Sequence, residues 1–179
     1  MILSLNEIFD AIIMTIAVGY IFSDIFRIQL HSQRRLELSY SNFDWHAFKM
    51  ACIITAPAII FHELAHKFVA IAFGMQATFH AAYFWLFLGI VLKTMRFPFI
   101  FFVPGYVSII CAQIACTIVA YQSSLIAFAG PFANLCMAIF WAIIAKIGQE
   151  IVGTGTGISN AVFLVYMGQA GISINLMLM

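Results

Sequence analysis

From Ala51 to Ala72 the chain is one apolar run, broken mainly by His62, Glu63, His66 and Lys67. A helix rises about 1.5 Å per residue, so a run of this length crosses a bilayer. Histidine and glutamate at membrane depth are costly, and by default they mark a functional site. His62 and His66 are four residues apart and share one helix face, about a turn from each other. Two imidazoles at that spacing can enter one zinc coordination sphere. Glu63 is displaced around the helix by one position. From there it can act as general base on a water activated by the metal without itself being a ligand. The competing reading is a water-lined polar cluster, or a chance match in a helix packed inside a bundle. Against it, His, Glu and His fall together and in order in a helix otherwise short of polar residues.

Composition sets the class. Of 179 residues, 64% are hydrophobic and 8% charged, where a soluble domain carries roughly 25% charged residues. The chain therefore reads as an all-α membrane protein, a multi-span helical bundle forming a single integral membrane domain over residues 1–179. About five spans are expected, at 8–26, 47–73, 98–120, 125–147 and 158–179, with an interfacial or re-entrant segment at 75–97 that can carry strand. The net charge of +1 gives nucleic acid no hold. No cleavable signal peptide is expected, because the N-terminus lacks a basic region and the stretch 8–26 is long enough to remain as a span. Cys52, Cys111, Cys116 and Cys136 lie in apolar runs without a CxxC pair. They read as small packing residues, with thiolate metal ligation the alternative.

Asp10 and Asp24 sit near the two ends of the first span, where a carboxylate is cheaply solvated. The connection 27–46 sets Arg27, Arg34 and Arg35 against Glu37 and Asp44, and the positive-inside rule places it in the cytoplasm. In the second span Pro57 deletes an internal hydrogen bond five residues before His62, which can loosen the helix and make room for metal and water. Gly74 ends that helix. Beyond it, Gln76, Thr78 and His80 alternate with Ala77, Phe79 and Ala81 in a strand-like pattern. Residues 76–83 are expected as an extended segment beside the active site, able to hold an unwound substrate by strand addition. Tyr83 to Leu92 is apolar and aromatic, but Lys93 and Arg96 close it too soon for a span. An interfacial helix is the competing reading for this stretch.

Pro104-Gly105 lies near the start of the third span, and Gly130-Pro131-Phe132-Ala133-Asn134 inside the fourth. The run Gly153-Thr154-Gly155-Thr156-Gly157 has no GK[ST] ending and reads as a flexible loop. Gly168, Ala170, Gly171 and Ser173 suit close helix packing in the last span. If 75–97 does not cross, the Arg-rich connection and the turn Gln122–Ser124 lie on the same side. His62 is then about 20 Å along its helix from Lys49, and Asn134 about 15 Å from Ser124. At comparable depth, Asn134 is free to face the metal. It could instead bond a neighbouring helix, with Gly130 permitting close approach and Pro131 freeing a carbonyl. The depth match and the GPFAN context favour a donor to the substrate backbone or the oxyanion.

Together, HELAH in a membrane helix, the aromatic stretch after it and GPFAN in a later span resemble the site-2 protease family of intramembrane zinc metalloproteases, its archaeal and bacterial members in particular. The resemblance runs from about Ala51 onward. It implies zinc held by His62 and His66, with Glu63 catalytic. It also implies substrate contacts at Asn134 and Gly130, and cleavage of peptide bonds in or near the transmembrane helices of membrane-protein substrates. One departure stands out. The family takes a third zinc ligand from an Asp in an NPDG-type segment of a later span, whereas here no Asp follows Asp44 and the chain ends inside the apolar run Ile174–Met179. A chain cut short before that segment is the first expectation, and a member that has lost its third ligand the second. Asp10, Asp24, His31, His46 and His80 read as interfacial, and Glu150 as a loop residue. The leading function is a zinc endopeptidase. Its rivals are an inactive member that binds membrane helices as a subunit, and a metal transporter using the histidines as a transit site. Substrate identity and oligomeric state stay open.

Overall fold

Helix α1 (Leu5–Arg34) starts where its sequence can cap it. Glu7 N donates to Ser4 Oγ at 3.3 Å and Ser4 N to Glu7 Oε2 at 2.7 Å, a reciprocal capping box. Helix α2 (Trp45–Ala72) starts on Asp44, whose Oδ1 accepts from the backbone N–H of His46 and Ala47 at 2.9 and 3.0 Å. It runs unbroken through Pro57 and ends as Gly74 predicts. That glycine has φ 77°, its N–H bonds Ile71 O, and Met75 N bonds Ala70 O, a Schellman stop. Strand β1 (Gln76–Ala81), helix α3 (Tyr83–Thr94), strand β2 (Gly105–Ile110), helix α4 (Ala120–Thr154) and helix α5 (Ile158–Met177) follow. The computed structural model describes residues 3–34, 43–97, 103–110, 120–154 and 158–179.

The chain is an α-helical membrane protein with one small two-stranded sheet. Among the described residues, three helical stretches are long and apolar enough to cross a bilayer: Leu5–Arg27, Trp45–Ala72 and Ala120–Thr154. The remaining apolar helix stretches, Tyr83–Thr94 and Ala161–Met177, are shorter. The chain divides into two compact units, one of Met1–Ile59 with Thr78–Ser108, the other of Ile60–Ala77 with Ile109–Met179.

In the first unit α3 packs along α1. Lys93 donates to the Tyr20 carbonyl and, at 2.5 Å, to Ser23 Oγ, while its ammonium sits 4.0 Å from the centre of the Tyr20 ring. Ala82 N donates to Pro104 O at 3.1 Å and Ser108 Oγ to Thr78 O at 3.3 Å, so the two strands run in opposite directions. The backbone groups of Thr78, His80 and Ala82 thus face β2, and the amides of Phe79 and Ala81 face away from it. Those two amides are capped by α1. Phe79 N donates to Glu7 Oε1 at 2.8 Å and Ala81 N to Asp10 Oδ2 at 3.2 Å. The edge expected to take a substrate strand is therefore occupied at both positions.

In the second unit α4 and α5 lie side by side on small residues. A Cβ at Gly168 would come within 2.5 Å of the Ala145 Cβ, and one at Gly171 within 2.2 Å of the Trp141 ring. Only glycine lets the helices approach so closely. Ala170 is buried, but Ser173 is exposed and its hydroxyl turns back to Gln169 O of its own helix.

Several expectations are corrected. Gly105–Ile110, placed inside a spanning helix at 98–120, is a strand. Pro104 disfavours helical geometry at Val103, and the β-branched and aromatic run Tyr106-Val107-Ser108-Ile109-Ile110 suits a pleat once β1 is there to pair with it. Residues 98–102 and 111–119 of that expected span, with Cys111 and Cys116, lie outside the described residues. Glu150 is exposed on α4, not in a loop, because the helix continues past it to Thr154, taking in Gly153. α1 likewise runs on to Arg34, beyond the expected end at residue 26. Asp10 is bonded to β1 instead of being left to solvent, whereas Asp24 is 61% exposed and 3.5 Å from Lys93.

Candidate metal centre

The second unit holds the HELAH residues. They fall on a regular stretch of α2, which gives His62 and His66 the shared face that a spacing of four demands. Their rings stand 4.8 Å apart between centroids, at 79° to each other, and both are half-buried. Their Nε2 atoms converge. A Cβ built on Gly130 would lie 2.4 Å from both. Gly130 thus matters for what it lacks. Any side chain there would collide with both ring nitrogens.

Helix α4 and the end of α5 orient the rings from behind. His66 Nδ1 is 2.6 Å from Ile126 O. A carbonyl only accepts, so Nδ1 carries the proton and Nε2 presents a lone pair, the form a metal requires. Asn134 Nδ2 lies 2.9 Å from His62 Nδ1 and also donates to Leu178 O at 3.0 Å. Asn134 faces His62, as the depth match allowed. Its side chain is fully buried, and both amide hydrogens are engaged, so in this arrangement none is left for a substrate. Its Oδ1 is buried without a hydrogen-bond partner. Ile126 and Leu178 act through their carbonyls, so no side-chain pattern could have flagged them.

Two converging ring nitrogens, one already in the ligating tautomer, fit two positions of a zinc sphere whose ordinary Zn–N distance is about 2.0–2.1 Å. Among the described residues no group of three His, Cys, Asp or Glu side chains comes together. The remaining positions therefore need water or a further ligand. Glu63, half-buried, sits one residue round from His62 on the same helix. Of the stand-ins, His46 is exposed at the start of α2, and His80 lies 3.8 Å from Asp10 and 3.2 Å from Ser108 Oγ in the first unit. The His31 side chain lies outside the described residues. Cys136 is exposed and lines an apolar groove of about 300 Å³ with Phe61, Ala65, Phe68 and Met137. None of the HELAH polar residues borders that groove, so it is not where the chemistry would occur.

The fold is that of a helical membrane protein, with the HExxH residues on one of its long apolar helices. No family model matches the chain, and no solved structure matches it. A protein of Methanocaldococcus jannaschii named "Putative zinc metalloprotease" is 32% identical to it over 144 residues, which cover 80% of this chain and 64% of that relative. The chain thus spans just under two thirds of the length of the curated relative it matches.

Proposed function

We propose that the chain carries the paired histidines and the general base of an intramembrane zinc metalloprotease that cuts peptide bonds in or near the transmembrane helices of membrane proteins. The observation that carries this reading is that His62 Nε2 and His66 Nε2 come together against Gly130, in a helix long and apolar enough to cross a bilayer. The similarity to a protein named for zinc proteolysis supports it. Bound there, zinc would supply Lewis-acid polarisation of the scissile carbonyl and a lowered pKa for the attacking water. The chain supplies the rest. His66, oriented by Ile126 O, and His62, which lies against Asn134, would hold the metal. Glu63 takes the proton as water adds to the carbonyl, then returns it to the amine as the C–N bond breaks. The connection 27–46 faces the cytoplasm in this reading.

A second reading, a non-cleaving member that binds membrane helices, draws on the absence of a third ligating side chain among the described residues. Purified protein separates the two. Under the enzyme reading His62→Ala loses zinc, while Glu63→Gln keeps zinc and fold but does not cut a transmembrane substrate. Cleavage by Glu63→Gln at the normal rate would remove Glu63 as base. Equal zinc in wild type and His62→Ala would remove the site.

A further inference from the structure

We infer that the metal-free histidine pair is held as a proton donor facing an acceptor, and that metal entry requires the Asn134 amide to turn over and release the carbonyl of Leu178. This rests on the metal reading above and deepens it. A carbonyl only accepts, so the Asn134 group 3.0 Å from Leu178 O must be its NH2. The same nitrogen is 2.9 Å from His62 Nδ1. Its second hydrogen points there, His62 Nδ1 accepts it, and the proton of the neutral ring sits on Nε2. His66 has the opposite tautomer, fixed by Ile126 O at 2.6 Å. One N–H and one lone pair therefore lie together against Gly130, each Nε2 2.4 Å from where a Cβ of that residue would be.

A cation held by both rings needs two lone pairs. His62 must move its proton from Nε2 to Nδ1, with none gained or lost overall. Its Nδ1–H would then face an NH2, donor against donor, in a site where Asn134 is fully buried. Asn134 carries the remedy itself. Its Oδ1 is buried without a partner, and half a turn about the last side-chain torsion brings it to His62 Nδ1–H. A ligating imidazole ordinarily gives its other N–H to just such an acceptor. The same turn sets Oδ1 against Leu178 O, acceptor against acceptor, so that carbonyl must withdraw. Leu178 N–H is bonded to Ile174 O at 3.1 Å, so its carbonyl moves with that turn of helix. Asn134 is thus a positioning residue that couples the Leu178 backbone to metal loading.

The test is imidazole ¹⁵N chemical shifts of the metal-free full chain, which report the protonated nitrogen of each ring, paired with zinc affinity by chelator competition. The metal-free spectrum should show His62 protonated on Nε2 and His66 on Nδ1, and zinc should move the His62 proton to Nδ1. Asn134→Asp accepts from Nδ1–H in either orientation and already repels Leu178 O, so it should bind zinc about tenfold more tightly than wild type. A metal-free His62 protonated on Nδ1, or an Asn134→Asp chain that folds yet binds zinc no more tightly, overturns the inference and leaves the metal reading standing. If neither wild type nor Asn134→Asp takes up zinc, the metal reading itself falls and the inference with it.

Discussion

Each unit sets polar side chains of a long apolar helix against backbone, and the two do so in opposite senses. In the first, Glu7 and Asp10 of α1 accept from the amides of Phe79 and Ala81, and Asp10 also accepts from the Tyr83 hydroxyl. The carboxylates are matched to donors and the result is a joint. In the second, His66 and Asn134 donate to the carbonyls of Ile126 and Leu178. There the matching stops short. Two ring nitrogens crowd against Gly130, and Asn134 Oδ1 is buried without a hydrogen-bond partner. Buried polar groups that are paired hold a structure together. Those left over, at membrane depth, are where a ligand or chemistry belongs.

The sharpest way to break this contrast is at Glu63. If the unmatched unit is the chemical one, Glu63→Gln should slow cleavage of a transmembrane substrate by about 10²–10⁴-fold while zinc content and melting temperature hold. Gln keeps the shape of Glu and cannot take the proton. A comparable loss of melting temperature would make Glu63 one more joint residue and erase the difference between the units.

Next in size is Gly130→Ala. The added Cβ would meet both Nε2 atoms at 2.4 Å. Either the rings move off the metal point or α4 retreats, at a cost of about 1–3 kcal/mol for overpacking. Zinc affinity should fall together with melting temperature. Zinc affinity equal to wild type would mean that the convergence beside Gly130 does not define the metal position.

What the sequence made legible follows from the range of each interaction. The helix stop at Gly74 and the strand at Gln76–Ala81 are local matters of turn chemistry and alternation, and both are present. The shared face of His62 and His66 needs only a regular helix. β2 escaped because Tyr106–Ile110 is as apolar as a span, and only its pairing with a strand more than twenty residues away decides between the two. Glu7 shows the same limit inside one side chain. Its capping of Ser4 is readable from the Ser4-x-x-Glu7 spacing, but the bond of its other oxygen to Phe79, 72 residues on, is not. Ile126 and Leu178 enter the site by carbonyls that every residue owns.

The joint can be tested in its own right. Glu7→Ala leaves the Phe79 amide, in a buried bond, without its acceptor. It should cost about 1–3 kcal/mol, more than Glu63→Gln. Hydrogen exchange at Phe79 should speed up, while zinc affinity in the second unit stays at the wild-type value. A change in zinc affinity as large as that from Gly130→Ala would show that the two units do not divide structure from chemistry.

The smallest effect is expected at Asp24, and it is informative because the sequence gives no reason to separate Asp24 from Asp10. Both are carboxylates near an end of the first apolar run. Asp10 is 13% exposed at its side chain and holds Ala81 N and the Tyr83 hydroxyl. Asp24 is 61% exposed, and its recorded contact is Lys93 Nζ at 3.5 Å. Lys93 does not depend on it, since the Tyr20 carbonyl, the Ser23 hydroxyl and the Tyr20 ring hold the ammonium as well. An exposed ion pair is screened by water and salt and contributes about 0–1 kcal/mol. Asp24→Asn should therefore move the melting temperature little at low salt and not at all at high salt, whereas Asp10→Asn should lower it at both. A salt-independent loss for Asp24→Asn as large as that for Asp10→Asn would place Asp24 among the matched carboxylates and extend the joint to the far end of α1.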